Sequence, residues 1–241
     1  MRRSRPPAPT PVPFSPRAAR AHRESLGLTP EQVVGAMSAH GVRLLATHLT
    51  AWESGELRPS EREFIALARA LWCPAAELMG RPPASLRDFR VARELTAEQT
   101  AARIGMGPDG YATAELTGRW AGSPEQSAAL AEALGLTLRD LVLRVCGAGE
   151  ELDQRLHQCV QGRWQAQLPA VAALVPVPRP SLAAVLAALP GEYQVASHWG
   201  TGSWGAPAPG APGPVTGEPA VPRLERFWAL LAGQDTGGIP V

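Results

Sequence analysis

The chain contains no lysine; all 23 of its basic residues are arginine. Beside 25 prolines, 24 glycines and many alanines, that absence reflects GC-rich codon usage and says nothing of function. Aromatic residues are also few, and seven are tryptophan against four phenylalanines and two tyrosines. The three cysteines, Cys73, Cys146 and Cys159, are too few and too scattered for a disulfide framework. No CxxC pair is present, and His157 beside Cys159 offers at most two metal ligands. Each thiol is therefore expected to act as a small buried apolar group.

Other absences narrow the function. No apolar run reaches the roughly 18 residues that a bilayer-spanning helix needs. The amino terminus is basic, but proline follows where a secretory signal would place its apolar core, which points to a cytoplasmic chain with no membrane partner. GxSxG, HExxH, a P-loop and paired carboxylates are all missing, and the histidines and cysteines are dispersed. The expectation is a non-enzyme with no cofactor and no metal.

What is present is the composition of a folded protein, 241 residues with 45% apolar and 19% charged side chains, enough for one or two domains. The net charge of +1 is unevenly spread. Residues 1–80 hold ten arginines against seven carboxylates, residues 81–147 eight against eight, and residues 148–241 five against seven. A polyanion should meet the amino-terminal third.

Residues 1–13 (MRRSRPPAPTPVP) read as a disordered basic arm. Five short helices are expected over 14–80. Ser15-Pro16 opens the first as N-cap and first helical residue, and Gly27 closes it. Thr29 and Gln32 have capping-box spacing for the second, whose apolar face is Val33, Val34 and Met37 before Gly41. A third runs from about Leu45 to Glu53 and stops at Gly55. Pro59-Ser60 starts a fourth with Phe64, Leu67, Ala68 and Leu71 on one side, and Pro74 starts a fifth with Leu78 and Met79.

Residues 85–147 repeat this order. Leu95-Thr96-Ala97-Glu98-Gln99 matches Leu28-Thr29-Pro30-Glu31-Gln32 at an offset of 67, Glu115 matches Glu53 at 62, and Leu130–Leu134 matches Leu67–Leu71 at 63. Three anchors in one order mark an internal duplication. The first copy has five extra residues around Ser38 to Arg43. Beyond it, 148–204 reads as a helical and aromatic region. Leu152, Leu156, Val160 and Trp164 share one helix face, a helix runs from Pro180 to Leu189, and a hairpin or packed loop covers Tyr193 to Trp204. A Pro/Gly-rich linker follows at 205–222, then a terminal amphipathic helix at 223–233.

The segment from Leu28 to Val34, with Leu49-Thr50-Ala51-Trp52-Glu53-Ser54-Gly55 and Pro59, resembles the Cro/repressor-like helix-turn-helix family of the xenobiotic-response-element type. Leu67-Ala68-Arg69-Ala70-Leu71 resembles that family's fourth helix. The likeness covers 14–80 closely and 85–147 loosely, where Trp-Glu has become Ala-Glu and Asp109 is acidic. The loop at His40 and Gly41 is longer than is usual for the family. The resemblance implies a mainly α chain: two tandem five-helix repressor-like domains, the second degenerate, then the helical carboxy-terminal region.

It also implies sequence-specific binding of double-stranded DNA by a transcriptional regulator, with the third helix in the major groove and the chain acting as a homodimer. Base reading falls on Ala46, Thr47 and Ala51, with His48 and Thr50 near edges or phosphates. No Arg, Asn or Gln stands there for a bidentate base contact, so direct readout is modest. Phosphate contacts from Arg43, Arg58 and the arginines at 17–23 carry much of the affinity.

Blander readings stay open beside these. Thr47, His48 and Thr50 can be an ordinary solvated helix face. Arg2, Arg3 and Arg5 serve equally as a minor-groove arm or a solubilising tail. His198 near Trp199 and Trp204 reads as aromatic packing rather than a pocket. The competing function is a protein-interaction scaffold or antitoxin-like partner, using the repeats without DNA and engaging a protein through residues 85–204. An enzyme in 148–241 would need a deep pocket lined by His157, His198 or Glu192.

Overall fold

The structure, a computed structural model, describes residues 11–198 and 222–241. Arg2, Arg3 and Arg5 of the basic arm, residues 199–204 of the aromatic segment and 205–221 of the linker lie outside the described residues, as do the side chains of Glu192 and His198. The fold is mainly α, with no strand among the described residues. No described helix is long and apolar enough to cross a membrane. Two compact units are formed. The first holds the described residues through Ala102 together with Gly107–Glu115, and the second holds Arg103–Met106 and the described residues from Leu116 onward.

In the first unit, α1 (Pro16–Ser25) starts where Ser15 Oγ accepts from the Ala18 N–H at 3.2 Å. α2 (Pro30–Ala39) has a full capping box: Gln32 N–H donates to Thr29 Oγ1 at 3.3 Å, and Thr29 N–H to Gln32 Oε1 at 2.8 Å. α3 (Ala46–Ser54) ends at Gly55 with φ of 83°, a left-handed cap that glycine takes without strain. α4 (Glu61–Ala70) repeats the capping box through Ser60 and Glu63, and α5 (Ala75–Leu78) is a single turn. At Gly80 a Cβ would lie 2.7 Å from that of Ser15, while Ser15 N–H donates to the Leu78 carbonyl. The close approach ties the end of the five-helix bundle to its beginning.

One apolar core fills this bundle. Val33 and Met37 of α2, Leu49 and Trp52 of α3, and Phe64 and Leu67 of α4 are almost wholly buried, and Phe14 meets Phe64 edge to face at 6.2 Å. Leu44 and Val34 pack at its margin. Each buried side chain of this size contributes about 1.5–3 kcal/mol.

α6 (Leu86–Ala92), α7 (Ala97–Arg103) and α8 (Pro108–Thr117) follow. Their caps fall where the repeat puts them: Thr96 and Gln99 exchange the bonds made by Thr29 and Gln32. The five extra residues of the first copy divide, with α2 three residues longer than α7 and the loop after it two longer than its counterpart.

In the second unit, α9 (Pro124–Leu134) has a Ser123–Gln126 capping box and a left-handed Gly135 cap. α10 (Leu138–Asp140) runs into a π-type turn at Leu141–Val145. Leu138 N–H donates to the Pro240 carbonyl at 2.6 Å and Ile239 is buried, so the last residues pack beside α10. α11 (Gly149–Gln158), α12 (Trp164–Leu174), α13 (Arg179–His198) and α14 (Arg223–Leu231) complete it. α14 buries Phe227, Trp228 and Leu231, as an amphipathic terminal helix should.

Two expectations fail here. Leu152 and Leu156 are buried on α11, but Val160 and Trp164 are only half-buried and do not extend that face. Gly162, with φ of 84°, breaks the helix inside a π-type turn at Cys159–Arg163, which resets the periodicity. The other concerns Tyr193 to His198, which continue α13 past Pro190 rather than turning back as a hairpin or packing as a loop. Of the three thiols, Cys73 and Cys159 are buried and Cys146 is half-buried.

Candidate nucleic-acid interface

α3 is anchored from below and open above. Leu49 and Trp52 point into the core at 1% and 2% exposure. Glu53, also buried, takes a bidentate pair from Arg23 of α1, Nε to Oε1 at 2.7 Å and Nη2 to Oε2 at 2.8 Å. Arg23 Nη1 closes the joint on the Leu28 carbonyl at 3.0 Å. The hydrogen bond to Glu53, with its charge, raises the Arg23 pKa although burial pulls the other way. The α3 backbone is thus fixed at both core face and carboxyl end.

On the opposite face Thr47 and Thr50 are exposed, and Ala46 and Ala51 are half-buried between them and the core. Thr50 Oγ1 donates to the Ala46 carbonyl at 3.2 Å, leaving its methyl and a lone pair outward. Arg43 and Arg58 flank the helix, both exposed and neither in an ion pair among the described residues. α3 has no side-chain N-cap, since Leu45 occupies that position, unlike α1, α2 and α4. His48 N–H turns back to the Leu45 carbonyl at 3.0 Å, which leaves the Ala46 and Thr47 amides for solvent or an anion.

Two sequence assignments change here. Arg23 is committed to Glu53, so of the arginines at 17–23 only Arg17 and Arg20 are exposed, and Arg20 also approaches Glu53 at 3.7 Å. His48 is half-buried with Nδ1 enclosed and without a hydrogen-bond partner, so that edge of the ring is closed to a base. Leu45 at 67% and Leu57 at 51% exposure flank the same surface, which sequence reading missed. Their signal was an apolar residue at a capping position and another just past a glycine stop.

The second repeat builds the same joint and then exceeds it. Arg90 holds Glu115 through Nε at 2.6 Å and Nη2 at 2.9 Å, and donates Nη1 to the Leu95 carbonyl at 2.8 Å. It also grips Glu61 of α4, which Arg87 holds at 3.0 Å. Arg90 is 2% exposed. Burial alone would lower its pKa, but the bonds from Glu115 and Glu61 outweigh that and raise it. Burial likewise pushes Glu61 up, while Arg90 and Arg87 hold it below the ordinary carboxylate value. On α8, Asp109, Ala112 and Thr113 are exposed where α3 presents Thr47, Thr50 and Ala51, so that face gains a negative charge.

Burial raises the thiols of Cys73, Cys146 and Cys159 to about 11, keeping them protonated at neutral pH. Among the described residues no group of three His, Cys, Asp or Glu is placed to hold a metal ion. Comparison with protein-family models, curated proteins and solved structures finds no match to this chain.

Proposed function

We propose that the first five helices form a repressor-like helix-turn-helix domain that binds double-stranded DNA, and that the chain is a transcriptional regulator acting as a homodimer. The second repeat keeps the scaffold of the first without its DNA contacts. The observation that carries this reading is the outer face of α3. Thr47 and Thr50 stand clear between Arg43 and Arg58, on a helix locked at its base by Leu49, Trp52 and the Arg23–Glu53 pair. A rigid element with a small polar face and flanking cations suits a major groove.

The Thr47 hydroxyl donates or accepts at base edges and the Thr50 hydroxyl accepts, the alanine methyls meet thymine methyls, and Arg43 and Arg58 neutralise phosphates. Specificity rests on few direct contacts, so DNA shape supplies part of it. A homodimer places its half-sites about 34 Å apart. Selection of bound sequences from a random duplex pool tests the proposal. Enrichment of a two-fold motif with that spacing, abolished by Thr47→Glu, is the expected outcome. An unenriched pool would contradict it.

A protein-interaction scaffold is favoured by one specific observation: Trp72 at 78% and Leu116 at 75% exposure are large apolar side chains open to solvent. A stoichiometric protein partner, retained by Thr47→Glu and released by Trp72→Ala, would favour that alternative.

A further inference from the structure

Within the first unit a cavity of about 310 Å³ lies between the end of α2, the outer side of α4 and the start of α7. Its volume falls within the range of small-molecule sites. Ile65 and Ala66, both buried members of the core, give it an apolar floor. Its carboxylates are already neutralised: Glu61 by Arg87 and Arg90, and Glu94 by Arg69 at 2.8 Å. Arg62 has no such partner. Its Nη2 donates to the Gly41 carbonyl at 2.7 Å, no ion pair joins it to a carboxylate among the described residues, and the exposed His40 imidazole lines the same cavity.

The second repeat makes its bridge without a cation. There a neutral side chain bridges the glycine after the second helix: Gln126, which matches Glu63 of the capping box, donates Nε2 to the Gly105 carbonyl at 3.1 Å, and Glu125 stands at the position of Arg62. Gly41 and Gly105 both sit at positive φ, 76° and 64°, just after their helices. An amide closes the helix end in one copy, whereas a guanidinium does so in the other and keeps its remaining donors.

We propose that this cavity binds a small organic carboxylate with a compact apolar body. The carboxylate pairs with Arg62 and His40, and the body lies on Ile65 and Ala66. A guanidinium fork matches a carboxylate bidentately, which suits it better than a spherical anion. Occupation draws Arg62 from the Gly41 carbonyl, loosening the loop that sets α3. The site would therefore weaken DNA binding, a consequence that rests on the proposed function.

Calorimetric titration of the full chain with sodium benzoate, against a sodium chloride blank, tests the site. A saturable one-to-one isotherm is expected with a dissociation constant on the order of 1 mM. Sodium acetate, which lacks the apolar body, should bind about tenfold or more weakly. Arg62→Gln, which keeps an amide donor at that position but removes the guanidinium, should weaken benzoate about tenfold. His40→Ala, at an exposed position, should weaken it severalfold without touching the core.

No saturable benzoate isotherm, or equal binding by wild type and both variants, overturns the site. Saturating benzoate should weaken duplex DNA binding about fivefold or more. Benzoate binding with DNA affinity unchanged overturns the coupling. Benzoate binding by a chain with no DNA affinity at all upholds the cavity and removes only the DNA reading.

Discussion

Trp72 and Trp52 are the same residue type under opposite constraints. Trp72 sits at φ of 48° with 78% of its surface exposed, and the equivalent position of the second repeat is Gly135 at 63°. A left-handed tryptophan costs about 1–2 kcal/mol that a glycine avoids, while glycine returns up to about 1 kcal/mol through the freer unfolded chain. Trp72→Gly should therefore leave thermal stability within about 1 kcal/mol of wild type. Trp52→Ala, at 2% exposure, should cost about 3–5 kcal/mol in denaturant unfolding.

Arg90 presents a sharper case. Removing it leaves Glu115 without its cation and Glu61 with Arg87 alone, so Arg90→Met should destabilise by about 3–5 kcal/mol in urea unfolding. The same network sets an acid limit. Glu61 is held below its ordinary value of 4.5, so its stabilisation is complete above that pH and is lost as pH falls through the lower folded-state value. Urea midpoints from pH 6 downward should fall less steeply in Glu61→Gln than in wild type below about 4.5. Equal slopes would remove Glu61 from the account of acid stability.

Residue roles are only partly visible in the sequence. A charge count cannot separate an arginine spent on a buried carboxylate from one facing solvent, so Arg23 reads there like any other phosphate-binding cation. A signal is nevertheless present: Arg23 and Arg90 both stand five residues before the Leu28 and Leu95 anchors, and their partners Glu53 and Glu115 are matched by the repeat itself.

Among the elements, starts and stops are the most legible features because they depend on a few residues. Ser15, Thr29 and Ser60 cap the helices they precede, and Gly55 ends α3. Apolar spacing marks the faces of α2 and α4 correctly. It fails past Leu156, because a single left-handed residue resets helical phase while the composition on either side stays helical. At Gly162 a Cβ meets no atom within 4 Å, so the obstacle to a side chain is φ alone. Gly162→Ala should cost about 1 kcal/mol in thermal unfolding. A stabilised variant would mean that an unbroken helix across 149–174 is preferred.

The repeat also explains why the length difference between copies is easier to locate than to interpret. The anchors place five residues between the second and third helices, but only the folded chain divides them into three residues of added helix and two of loop. That division matters for the surface of α3. The longer loop carries Arg43, so the first copy gains an exposed cation beside α3.

Taken whole, the molecule divides its material unequally between scaffold and surface. The buried Arg–Glu joint, the capping boxes and the glycine after the second helix occur in both copies. Arg43, by contrast, falls in the loop extension of the first copy, Arg58 gives way to Trp120 at the offset of 62, and α8 carries Asp109. The scaffold is legible from sequence because duplication wrote it twice; the chemistry of the surface is written once, in small residues that any solvated helix could carry. DNA affinity as a function of salt addresses that surface directly. Fluorescence anisotropy with duplex DNA should give a steep negative dependence of log affinity on log salt, and Arg43→Gln with Arg58→Gln should reduce the slope by about two, roughly 0.9 for each phosphate no longer neutralised. A wild-type slope near zero, or a double variant whose affinity and slope match wild type, would contradict the assignment of α3 as the DNA-reading helix.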